Sequence, residues 1–146
     1  MIRKATPSDK EKYLEMTEIF YNSDAVLHPI SEEYRLRTWN ELMRSGEFTE
    51  CYFSESDGAV TGYMLLAYAF SQEAGGRVCW IEELFVLEEY RNRGTGREFF
   101  DFIKSDIEPK CRRLRLEVED YNTGAKRLYA SLGFSMLPYE QMIKEL

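Results

Sequence analysis

Residues 80–107, WIEELFVLEEYRNRGTGREFFDFIKSDI, leave this chain few ways to fold, because they read as a strand, a tight basic turn and a helix in immediate succession. Ile81, Leu84, Phe85, Val86 and Leu87 form an apolar, partly β-branched and aromatic run, and Phe99, Phe100, Ile103 and Ile107 recur at helical spacing beyond the turn. A buried strand therefore feeds an amphipathic helix. Between them, in Arg91-x-x-Gly94-x-Gly96, two glycines let the backbone approach a ligand with its N–H groups exposed at a helix N-terminus. Arg91, Arg93 and Arg97 add positive charge, so the turn suits a pyrophosphate.

Spacing removes two common phosphate loops. A dinucleotide-binding turn needs G-x-G-x-x-G, and Phe99 stands at the third glycine position; a Walker loop needs Gly-Lys followed by Ser or Thr, which is missing. Taken alone, the turn could also be a solvated basic turn that merely starts a helix. A second pattern lies downstream in NTGAKRLYASLGF, where Asn122, Ala125, Tyr129 and Leu132 fall on one helix face and Gly133 supplies a left-handed stop before Phe134.

The two patterns together, with a strand between them, resemble the GNAT superfamily of N-acetyltransferases: the first is similar to its acyl-CoA signature, the second to its Asn-x-x-Ala-x-x-x-Tyr-x-x-x-Gly-Phe helix. Asn92 departs from that signature, where the family often has Gly. The resemblance implies a single domain over 1–146 with the GNAT acyl-CoA N-acyltransferase fold, a mixed α/β arrangement of about seven mostly antiparallel strands and four helices. It also implies acetyl-CoA as donor substrate, with main-chain N–H groups of Arg91, Asn92, Arg93, Gly94, Thr95, Gly96 and Arg97 on the pyrophosphate. Backbone near Phe85 and Val86 and the side chain of Asn122 would hold the pantetheine, the Val86 amide would face the thioester carbonyl, and Tyr129 would protonate the departing thiolate.

A protonated amine cannot attack a thioester, so a base must take its proton. Glu82, on the strand face of Leu84 and Val86, is the first candidate, a carboxylate whose burial would raise its pKa; Glu83 is the second, and either could instead be a pocket-edge charge attracting a cation. His28 and Tyr21, with Tyr34, lie in or beside the loop between the first two helices, where they would border the acceptor, or serve as an inert loop histidine and as helix packing. Glu117, Glu119 and Asp120 could steer a cation or simply solvate a strand end.

Taken in order, the chain reads βααβββαβαββ. Ile2 to Ala5 is a short strand; Ser8 or Asp9 caps a helix to about Tyr21; Ser31 opens a second helix that Gly46 stops. Thr49 to Glu55 and Val60 to Phe70 form a hairpin about Ser56-Asp57-Gly58, and Arg77 to Leu87 enters the basic turn. After Glu108-Pro109-Lys110 come a strand, Arg113 to Glu119, a helix from Thr123 to Leu132, and two closing strands, Phe134 to Leu137 and Glu140 to Glu145.

A net charge of −7 over 146 residues argues against nucleic-acid binding, which needs a basic surface, and favours cationic or neutral partners. No segment reaches the roughly 18 apolar residues of a membrane span, and the first residues lack a signal-peptide run, so a cytoplasmic protein without membrane partners is expected. Cys51, Cys79 and Cys111 are odd in number and scattered, suggesting neither disulfides nor a metal site. The Ile81 to Val86 segment is similar to that of diamine and polyamine acetyltransferases, so a small cationic primary amine is the expected acceptor; a homodimer, formed through exposed strands near the C-terminus, is the expected assembly. An aminoglycoside, an amino acid, or a protein N-terminus or lysine also fits, as does a regulatory module that binds acetyl-CoA without turnover.

Overall fold

The computed structural model describes all residues, 1–146, and divides them into two compact units, Met1–Leu116 and Glu117–Leu146. The first carries β1 (Ile2–Lys4), α1 (Lys10–Tyr21), α2 (Glu32–Arg44), β2 (Thr49–Ser56), β3 (Ala59–Ser71), β4 (Gly76–Val86), α3 (Thr95–Phe102) and β5 (Arg113–Leu116). Its five strands form one sheet in chain order, antiparallel throughout except between β4 and β5. Parallel strands need a crossover, and α3 with a π-helical turn over Ile103–Ile107 supplies it.

Local chemistry fixes the corners. Asp9 accepts from the Thr6 amide at 2.7 Å and takes both Nη atoms of Arg3 at 2.8 Å, which ties β1 to the start of α1. Ser31 caps α2 through the Tyr34 amide. In the β2–β3 hairpin the two loop residues, Asp57 and Gly58, have φ of 52° and 79°, the twist a two-residue turn requires.

One sheet face packs on α1 and α2. Tyr13, Met16, Phe20, Trp39 and Leu42 bury against Cys51, Phe53, Tyr63, Leu65 and Phe85, and the Phe20 ring meets Phe85 and Tyr63 edge-on at 5.6 and 6.0 Å. The opposite face, reached by Tyr52, Met64, Leu66 and Ile81, takes the buried Phe99, Phe100, Ile103 and Ile107 of the α3 segment.

The ladder between β3 and β4 shifts register between Leu65 and Leu66: Leu65 pairs with Glu83, Leu66 with Ile81, and Glu82 is the extra residue of a β-bulge. Beyond it, Gly62 lies so close to β4 that a Cβ there would come 2.5 Å from the Phe85 carbonyl oxygen. Pairing of β5 stops at Leu116 opposite Ile81, one residue before the bulge, so this strand ends earlier than the expected Glu119. Near that end Arg115 stacks over the Trp80 ring at 4.1 Å.

In the second unit α4 covers Thr123–Ser131, and Gly133, at φ 93°, lets the Phe134 amide return to the Tyr129 carbonyl at 3.0 Å. The two closing strands expected from sequence are absent: 134–146 is irregular, and the sheet has five strands instead of about seven. A strand exists only through a ladder partner, and the backbone bond here, from the Tyr139 amide to the Leu137 carbonyl, is a local turn.

Candidate active site

The bulge decides which glutamate the core receives. Regular alternation groups Glu82 with Leu84 and Val86, but the extra residue lifts Glu82 out of the ladder and leaves it exposed, while Glu83 joins Phe85 on the face toward α1. The buried carboxylate expected at Glu82 is therefore found at Glu83, only 9% exposed. The hydroxyl of Tyr63, itself wholly buried, donates to Glu83 Oε2 at 2.6 Å, and the hydroxyl of Tyr21, the last residue of α1, donates to Oε1. Burial raises the Glu83 pKa above the ordinary carboxylate value, and the negative Glu82 adds to it, while the two hydroxyls oppose the shift by favouring the ionised form. Burial, reinforced by Glu83, likewise raises both tyrosines, which keeps them as donors.

Tyr63 is the member that sequence does not reveal. It stands 20 residues from Glu83 among other core aromatics, and only the bulged β3–β4 register brings them together. Tyr21 does reach this site, whereas His28 is exposed in the following loop and Tyr34 is 56% exposed on α2 with Arg37 over its ring.

The outer edge of β4 is the second component. The Leu87 amide donates to the Thr61 carbonyl of β3, so alternation turns the amides of Val86 and Leu84 to the other edge and that of Phe85 back toward β3. Because β5 ends opposite Ile81, the first unit pairs no strand with that edge from Leu84 to Val86. Arg91 Nε donates to the Val86 carbonyl at 3.0 Å, which leaves the Val86 N–H as a donor there.

The basic turn leads from this edge into α3. Asn92 takes φ 59°, the left-handed conformation that asparagine tolerates, so the residue that departs from the family signature still makes the turn a glycine would make. Gly94, the N-cap, has φ 94°, and at both Gly94 and Gly96 the space where a Cβ would stand is open to 4 Å. Arg91, Arg93 and Arg97 are exposed around it. The turn thus offers room and positive charge at the start of α3.

In the second unit Asn122 caps α4, its Oδ1 accepting from the Ala125 amide at 3.1 Å, and Tyr129 is partly buried with its ring edge-on to Phe134 at 6.0 Å. Burial raises the Tyr129 pKa, so its hydroxyl holds its proton at neutral pH. The acidic Glu119 and Asp120 are exposed, Asp120 paired with Lys126, while Glu117 accepts from Gln141. No group of three or more His, Cys, Asp or Glu side chains is placed to hold a metal ion.

Comparison with known proteins places the chain in a family. An N-acetyltransferase of Lactobacillus delbrueckii subsp. lactis, itself uncharacterised, is 29% identical over 133 residues, 89% of this chain and 67% of its own. The thialysine N-epsilon-acetyltransferase of Bos taurus is 33% identical over 75 residues, 51% of this chain, and the match spans only 44% of that protein. Among solved structures, AAC(6')-Iy in complex with a CoA bisubstrate analog superposes with a TM-score of 0.80 at 15% identity over 100% of this chain and 97% of its own, a likeness of fold. The model of the acetyltransferase (GNAT) family matches residues 13–134, so the chain belongs to that family and is an acyltransferase that depends on acetyl-CoA.

Proposed function

We propose that this enzyme acetylates a primary amine on a small cationic acceptor, with Glu83 as the proton acceptor and Tyr129 as the proton donor. The observation that carries the reading is Glu83 itself, a carboxylate buried on the α1 side of β4 and held by two tyrosine hydroxyls, with a pKa raised by burial. Acetyl-CoA supplies an activated acetyl group and a thiolate leaving group. The chain's own contributions are separate and simple. The N–H groups of the 91–97 turn and the start of α3 bind the pyrophosphate, and Asn122 Nδ2 donates to the pantetheine. The Val86 N–H stabilises the oxyanion, Glu83 takes the proton from the ammonium so that nitrogen can attack, and Tyr129 gives its proton to sulfur as the C–S bond breaks.

The names of related proteins support an amine acceptor, since one acts on thialysine and another binds a CoA-linked aminoglycoside analogue. Net charge −7 and the exposed Glu82 beside Glu83 favour a cation over an anion. In this reading the enzyme works in the cytoplasm, where its three unpaired cysteines stay reduced, as a single domain in each half of a homodimer.

The test is release of free thiol from acetyl-CoA against diamines, polyamines, thialysine-like amino acids, aminoglycosides and short peptides. Release that depends on one class of small cationic amine is expected, and Tyr129→Phe should lower turnover about 10²-fold while leaving acetyl-CoA affinity unchanged. Acetyl-CoA binding by calorimetry with no release in the presence of any amine would overturn the reading in favour of a module that binds without turnover.

A further inference from the structure

Glu83 is enclosed in a way that an ordinary base at a pocket wall is not. Its side chain is buried, and each carboxylate oxygen already accepts from a tyrosine hydroxyl. Of those two donors, Tyr63 has no exposed surface, whereas Tyr21 is part-exposed at the end of α1 where the chain enters the 22–31 loop. Phe20 braces this arrangement: its ring meets Tyr21 edge-on at 5.1 Å and packs on Tyr63 and Phe85. The titratable groups that face Glu83 are Tyr13 and Tyr21 from α1, Cys51 from β2, Tyr63 from β3 and Glu82 from its own strand. No lysine or arginine pairs with it, so the buried carboxylate has hydrogen bonds but no counter-charge.

We propose that Tyr21 is the residue that touches the acceptor amine, and that its hydroxyl relays the amine's proton inward to Glu83. This rests on acetyl transfer to an amine as proposed above and names the contact through which it begins. The ammonium N–H donates to Tyr21 Oη, which already donates its own proton to Glu83 Oε1. As the proton passes from nitrogen to Oη, the tyrosine proton passes to Oε1; the amine becomes neutral, Tyr21 ends as it began, and Glu83 is protonated. No tyrosinate forms. Burial and Glu83 both raise the Tyr21 pKa, which disfavours any stepwise route through one. The same pairing explains the missing counter-charge, because the acceptor's ammonium supplies it from outside, across one hydroxyl. It also sets what the acceptor must be: a primary amine that can bring its nitrogen to Tyr21.

Tyr21→Phe keeps the ring and its packing on Phe20 and removes only the relay. The expected result is a loss of kcat of about 10²-fold at neutral pH, with the KM for acetyl-CoA unchanged and the loss shrinking as pH approaches the amine's own pKa, where the acceptor arrives unprotonated. Tyr63→Phe serves as the contrast. It removes a hydrogen bond that favours ionised Glu83, so it should move the acid limb of kcat/KM upward by about one pH unit and leave the high-pH plateau intact. A proton inventory on the unaltered enzyme should bow, since two protons move together. The relay is overturned if Tyr21→Phe matches the unaltered enzyme, if it only shifts the acid limb as Tyr63→Phe does, or if the inventory is linear. Failure of the unaltered enzyme to turn over any amine is a different result, one that removes acetyl transfer and the relay with it.

Discussion

Glu83 holds its proton more firmly in the fold than in an unfolded chain, because burial penalises its charge. Its contribution to stability is therefore present below the unfolded pKa and lost as pH rises through the folded one. Glu83→Gln keeps the shape and drops the charge, so the variant's melting temperature should gain on the unaltered protein as pH rises above the ordinary carboxylate range and Glu83 ionises in its buried place. Its activity should move the other way, falling about 10²-fold at neutral pH and losing the acid limb. A scanning-calorimetry series with parallel rates would detect either failure. At this scale the sequence put Glu82 first and Glu83 second as candidate base and expected the buried carboxylate at Glu82, whereas Glu83 is the one buried. The choice depends on whether one residue is paired or bulged, and a period of two counted along β4 alone does not show where the count slips.

The turn into α3 was legible because its residues carry backbone requirements that few others meet. Gly94 at φ 94° and Asn92 at φ 59° are the residue types that accept positive φ, and Arg91 reaches back to the Val86 carbonyl. Gly94→Val should cost about 1–2 kcal/mol from φ alone, since no atom lies within 4 Å of the new Cβ, and should weaken acetyl-CoA by placing two methyl groups in the phosphate space. Calorimetric titration checks it, and undiminished affinity would take the pyrophosphate away from this turn. The closing strands are the contrary case. In residues 134–146 the apolar Met136, Tyr139, Met142 and Leu146 stand three, three and four residues apart, without the period of two that a half-buried strand shows, and pairing needs a neighbour besides.

For the whole molecule the asymmetry in what is covered lies in the second unit, where Met136, Met142, Ile143 and Leu146 are between 74% and 113% exposed. Apolar surface on that scale is what an association surface uses. Light scattering is expected to give twice 17.3 kDa, and a mass of one chain at assay concentration would end the homodimer proposal. Sequence suggested association through the same segment but as paired strands; the exposed apolar side chains are the part that remains. The two tryptophans divide the molecule in a different respect. Trp39 is buried between α2 and α1 against Tyr13, whereas Trp80 is half-buried on β4 beneath the Arg115 guanidinium, one pair before the last rung that joins β4 to β5. The chain thus carries two natural fluorophores in unlike surroundings. The first emits from an aromatic core and reports on folding, and the second sits under a cation beside the last rung of β5 and reports on whatever displaces that cation.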